Sequence, residues 1–271
     1  MTSPGETEAA TDDTAQSFLA HLEDLRRTIL LSAGTLVVTM GLVIPFVPRI
    51  LDLLATRLDA AGVDPAKALQ VIGVASGFAL TMRLVFWSGL ILALPVILFF
   101  VANFVFPGLT RGERKVVLRA LSFAAVLFAA GVAMGYFMTV PVALRFMFRI
   151  EAWLGVRREF IEIGDYVSFI LKLLLAFGLA FELPVVVLAL GSLGIVDSSQ
   201  LRSKRRHVLV GLLVMAMFLT PQDPLTMLLM AVPLAVLYEV CIWMIRAEER
   251  HRAAKNGQPV NGEDDHGENN V

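Results

Sequence analysis

The sequence predicts an all-α membrane protein of six transmembrane helices with both ends of the chain on the cytoplasmic side. Three observations predict it. Of 271 residues, 57% are hydrophobic and 17% charged, whereas soluble domains carry about 45–50% and about 25%. Mean hydropathy is +0.73. The apolar residues are gathered into runs approaching the roughly 20 residues that a helix needs to cross ~30 Å of hydrocarbon, and they lack the period-two alternation in segments of about ten that marks a membrane β-barrel. A net charge of −1 leaves no bulk electrostatic basis for binding nucleic acid. Cys241 is the chain's one cysteine, so it has no intramolecular disulfide partner and reads as a small buried hydrophobe.

The elements follow in order. Residues 1–16 form an acidic tail expected to be disordered, with no basic segment leading into an apolar run and hence no expected cleavable signal peptide. In residues 17–28, Phe18, Leu22 and Leu25 recur at helical spacing opposite His21, Glu23 and Asp24. That pattern predicts an amphipathic helix on the inner surface. Apolar runs at 29–47, 79–101, 116–138, 166–190, 208–220 and 225–245 are the six spans, with mixed stretches at 48–78 and 139–165 read as loops. The fifth run would rise only ~20 Å as a helix, and Pro221-Gln222-Asp223-Pro224 joins it to the sixth. The fifth and sixth helices are therefore expected to be short, spanning a thinned bilayer or forming a re-entrant hairpin. The six-span domain covers 17–246, and a disordered polar tail is expected over 247–271.

Orientation comes from the basic residues of the loops, which cytoplasmic segments hold in excess. With the N-terminus inside, the inner segments carry fourteen: Arg26, Arg27, Arg111, Arg114, Lys115, Arg119, Arg202, Lys204, Arg205, Arg206, Arg246, Arg250, Arg252 and Lys255. The outer ones carry seven: Arg49, Arg57, Lys67, Arg145, Arg149, Arg157 and Arg158. This predicts N-in and C-in, with loops 48–78 and 139–165 outside and Trp153 and Phe160 at headgroup level.

Ionisable groups inside spans are costly and count as functional candidates. Glu182 lies in the fourth span beside Pro184, which frees a backbone carbonyl one turn earlier; it reads either as a carboxyl satisfied between packed helices or as one facing a cavity or partner. Glu239, near the inner end of the last span, is balanced between function and a snorkelling or Arg246-paired structural role. Lys172 and Arg83 read as snorkelling outward. All four histidines fall outside the apolar runs and no P-loop sequence occurs, so catalysis, a cofactor or a metal is not expected. In the first inner loop, Thr110 and Glu113 have the spacing of a capping box that opens the third span. The same carboxylate would also accept a bidentate arginine from elsewhere.

These segments resemble the TatC family, the large subunit of the twin-arginine protein translocase. The likeness runs through Leu22-Glu23-Asp24-Leu25-Arg26, 104–113, 166–184, 197–206, Leu219-Thr220-Pro221-Gln222-Asp223 and 233–239, in the family's order. It implies six helices forming a curved wall with a concave face, a receptor for signal peptides bearing paired arginines, and an oligomer with the single-span TatA and TatB subunits in the cytoplasmic membrane, using the proton-motive force. It further implies that Glu113, Phe104 and Leu22, Glu23, Asp24, Leu25 and Arg26 form the signal-peptide site. Glu182, Asp223 and Glu239 are its candidate intramembrane polar or partner contacts. Asp24 stands where the family commonly has Glu, and Met227 where a Gln is frequent. A folded cargo of 150 residues, roughly 35–40 Å across, is too wide for six helices to encircle, so a receptor that recruits other subunits fits better than a pore. The alternative, a small-solute secondary transporter, predicts internal repeats, and the two halves show none.

Overall fold

The computed structural model describes residues 4–73, 75–105, 111–155, 160–192, 198–219 and 224–255. It is built almost wholly of helices: α1 (Pro4–Val43), α2 (Val47–Asp59), α3 (Pro65–Ala68), α4 (Ser76–Val105), α5 (Arg111–Met134), α6 (Val140–Trp153), α7 (Ile163–Ala180), α8 (Leu183–Ser192), α9 (Ser198–Ser203), α10 (Arg205–Leu219) and α11 (Pro224–Lys255). Four stretches among the described residues are long and apolar enough to cross a membrane: His21–Asp59, Ser76–Phe104, Phe123–Trp153 and Ile163–Val187. The segment read as an amphipathic surface helix is continuous with the first span inside α1.

Prolines mark where the helices change course. A 3₁₀ turn over Ile44–Phe46 carries Pro45 in its first positions, and Pro48 opens α2. Both sit where a missing N–H costs nothing. A π turn over Gly135–Thr139 joins α5 to α6, with the Val140 N–H donating to Gly135 O five residues back. That widened turn lets the helix continue past Pro141 instead of ending there.

Both stretches read as outer loops are therefore largely helical. In 48–78 the spacing of Ile50, Leu54 and Leu58 builds α2, whose Leu54 and Leu58 are buried. In 139–165 the π turn extends the third span to Trp153. What remains of the two stretches meets: β1 (Leu69–Gln70) pairs in parallel with β2 (Ile161–Glu162), so both lie at one end of the molecule. At the other end α10 is short, as expected; its 15 residues rise ~22 Å. The expected shortness of the sixth helix is corrected, because α11 has 32 residues. Ala, Glu and Arg after residue 245 are strong helix formers and carry the helix beyond the apolar run.

Helix α7 is the centre of the packing. Val167, Ile170, Leu173 and Phe177 are fully buried, and α4 and α5 lie against it. At the α5–α7 crossing a Cβ on Gly131 would come within 2.7 Å of the Phe177 carbonyl oxygen, and one on Gly178 within 2.5 Å of the Phe128 ring. Close backbone approach through small residues is the usual means of joining helices where lipid removes the hydrophobic drive.

Gly131→Ala is expected to destabilise the detergent-solubilised protein by about 1–3 kcal/mol through overpacking against a backbone atom. Gly41→Ala, with nothing within 4 Å of the added Cβ, is expected to be neutral or slightly stabilising. Equal thermal midpoints for the two variants would show that the crossing is not tightly packed.

Candidate functional site

α1 and α4 run antiparallel. The His21 ring stacks on Phe104 with centroids 4.6 Å apart and planes at 20°, while Met40 lies against Gly89 farther along. The stack fixes the N-terminal segment beside the last turn of α4. It leaves Leu22, Glu23, Asp24, Leu25 and Arg26 all exposed. An exposed row of carboxylates and leucines beside an aromatic platform can accept a ligand that is both cationic and apolar. Glu113 occupies the first turn of α5; its side chain lies outside the described residues, as do Thr110 and Asp223.

Glu182 occupies the two-residue break between α7 and α8. Pro184 has no N–H to offer the Ala180 carbonyl, so the ladder switches register: Glu182 N donates to Leu179 O at 3.1 Å, and Val185 N and Val186 N both donate to Glu182 O. The side chain is only 7% exposed, and its Oε1 meets no partner. A buried acceptor without a donor costs about 1–3 kcal/mol, so the protein retains here a polar group that its own packing does not satisfy.

Glu239 is paired, but with Arg205 at 2.8 Å rather than with Arg246. Residue 205 opens α10, and the α10–α11 packing carries it to Glu239. Both side chains are substantially exposed, which limits the pair to roughly 0–1 kcal/mol. Beside it Tyr238 donates to Leu201 O at 2.9 Å, and Glu249 accepts from the N–H and hydroxyl of Ser198. Lys172 rests over the Trp87 ring at 5.7 Å, and Arg83 lies 3.7 Å from Asp165. Among the described residues no cluster of metal-ligating side chains occurs.

The end that carries the β1–β2 pair holds a polar cluster that the sequence does not predict. Tyr136 Oη donates to Leu53 O and Tyr166 Oη to Leu54 O, both at 2.7 Å, and Arg145 Nη2 donates to Ala60 O at 2.7 Å. The last carbonyls of a helix lack intrahelical partners; here the Ala60 carbonyl just past α2 receives Arg145, while the tyrosines fasten the middle of the helix. With Tyr238 included, all three tyrosines of the chain donate to backbone carbonyls of another element. The available signal was the helical spacing within 47–58.

Residues 20–233 match the family model described as Sec-independent protein translocase protein (TatC). A Sec-independent protein translocase protein TatC of Campylobacter jejuni is 35% identical over 83% of this chain and 92% of its own length. One from Akkermansia muciniphila is 36% identical over 76% of this chain, which spans 59% of that longer relative. A crystal structure of the twin-arginine translocase receptor TatC superposes with a TM-score of 0.72 at 29% identity, covering 84% of this chain and 98% of the other.

Tyr166→Phe removes a buried hydrogen bond between α7 and α2 and leaves the Leu54 carbonyl its intrahelical donor alone, an expected loss of about 0.5–1.5 kcal/mol. Arg205→Gln breaks an exposed pair and is expected to change stability by less than ~1 kcal/mol. Thermal unfolding in one detergent compares them; the reverse ranking would mean that α2 is not held through this bond.

Proposed function

The chain belongs to the TatC family, and from that premise we propose that it is the multi-span receptor subunit of a twin-arginine translocase, binding signal peptides with paired arginines and exporting folded proteins. The observation that carries the proposal is the likeness along 84% of the chain to a solved twin-arginine translocase receptor. The protein resides in the cytoplasmic membrane as a unit of six spans over 17–246 flanked by polar tails, with α10 and α11 as the last two crossings. It works with single-span TatA- and TatB-type subunits in an oligomer, driven by the proton-motive force, and catalyses no covalent chemistry. The twofold excess of basic residues in the proposed inner segments supports N-in and C-in, and the β1–β2 pairing supports placing the two proposed outer loops on one side of the membrane.

The signal peptide binds where α1 meets the end of α4. Glu113 accepts the arginine pair, with Glu23 and Asp24 lowering the local potential against Arg111, Arg114 and Lys115. Phe104, held by His21, together with Leu22 and Leu25, receives the apolar part of the peptide; Arg26 closes the segment. Glu182, with its unsatisfied Oε1, faces a partner helix inside the membrane, and Asp223, which precedes α11 in sequence, and Glu239, at the middle of α11, also contact partners.

Glu113→Gln is expected to weaken signal-peptide binding roughly 10- to 150-fold, as loss of a charge-assisted contact of about 1.5–3 kcal/mol implies, with normal protein levels in the membrane. Asp24→Asn is expected to weaken it too, and the double variant to fall short of the sum, since the groups share one ligand. Photocrosslinking from position 113 to a signal peptide with and without its arginine pair reads this directly. Unchanged affinity in Glu113→Gln would return the residue to a capping role. For topology, cysteines at Gly112 and Ser203 are expected to resist an impermeant outside thiol reagent while one at Gly155 reacts; labelling in the opposite sense would invert the assignment.

A further inference from the structure

A groove of about 980 Å³ opens between the end of α1, α2, α4, α5 and α7. It lies at the top of the ~300–1,000 Å³ range of sites that bury a ligand, far beyond a packing defect. Its walls are almost entirely apolar, with Ile91, Leu92, Phe128 and Val132 along the floor and Phe46, Tyr136 and Phe137 among the residues closing it.

Charge is concentrated at that aromatic boundary. The Arg57 guanidinium carbon lies 4.1 Å from the Tyr136 ring centroid and 5.1 Å from that of Phe137, and Arg49 lies 5.9 Å from that of Phe46. All three rings line the groove. A cation–π contact uses the charge of a guanidinium and leaves its N–H donors available. The Arg57 Nε is buried and meets no acceptor; Asp52 and Asp59 share the helix, but both are exposed and neither reaches it. Arginine presents a planar set of donors matched to phosphate oxygens. A long apolar trough ending at two aromatic-backed arginines, one with an orphaned donor, complements a molecule with apolar tails and a negative head.

We propose that this groove is a binding site for an anionic phospholipid, with its acyl chains along the α4–α5 floor and its phosphate on Arg57, assisted by Arg49. The negative head of the lipid complements the two arginines, and its chains fill the groove. The site is separate from the inner-end signal-peptide surface and does not depend on which leaflet faces that end.

The test is lipid binding to the full chain, purified in detergent and titrated with phosphatidylglycerol or with phosphatidylcholine of the same chains, and followed by native mass spectrometry. The wild type is expected to hold phosphatidylglycerol about tenfold or more tighter than phosphatidylcholine. Arg57→Gln is expected to abolish that preference, Arg57→Lys to retain part of it, and Arg49→Gln to reduce it. Ala129→Phe, which fills the groove, is expected to lower the affinity for both lipids. Equal affinity for the two lipids in the wild type, or an undiminished preference in a folded Arg57→Gln protein, would overturn the proposal. Displacement of bound phosphatidylglycerol by equimolar glycerol phosphate would overturn it in favour of a free-anion site.

Discussion

The close approach of α5 to α7 is the contact on which the remaining packing depends. Lipid offers no hydrophobic reward for bringing two apolar helices together, so the helices gain contact only where their backbones can come near. Gly131 and Gly178 provide that on opposite sides of one crossing, seating Phe177 and Phe128 against glycine faces. Once α7 is fixed, its other faces receive α4 and the start of β2, and its Pro184-induced break sets the direction of α8. The fully buried Ile170, Leu173 and Phe177 are the result.

A second constraint operates at the ends. Neighbouring side chains tie one element to another by donating to its backbone carbonyls. Arg145 supplies a donor to the Ala60 carbonyl just past α2, Tyr136 and Tyr166 donate to carbonyls in the middle of α2, and Tyr238 donates to one in α9. Each tyrosine pairs an apolar ring suited to the interior with one polar atom at its tip. Among the described residues, the buried Glu182 Oε1 and Arg57 Nε are given no such partner.

The two ends thereby differ in character. The end that carries the β1–β2 pair is tied by hydrogen bonds to the carbonyls of Leu53, Leu54 and Ala60, of which the Tyr166 bond is buried and the Arg145 bond exposed. The end where α1 meets the last turn of α4 keeps Leu22 to Arg26 exposed beside the His21–Phe104 stack, and the Arg205–Glu239 pair and the Tyr238 bond to Leu201 O hold α10 and α9 to α11.

The sequence by itself determined the class of protein, the position of four apolar spans and the identity of the family, because hydropathy and residue order are properties of the chain alone. It also singled out Glu182, since a carboxyl in an apolar run beside proline is conspicuous without coordinates. Tertiary structure decided what periodicity over short windows cannot. Residues 47–58 became a helix rather than a loop because Leu54 and Leu58 found α7 to pack on. The third span continued through Pro141 because a π turn reset the hydrogen-bond ladder. Glu239 chose Arg205 over Arg246 because the α10–α11 packing brings residue 205 within 2.8 Å. The cluster around Arg57 was invisible for the same reason: Arg57, Tyr136 and Tyr166 are separated by up to 109 positions in the chain, and only folding makes them neighbours.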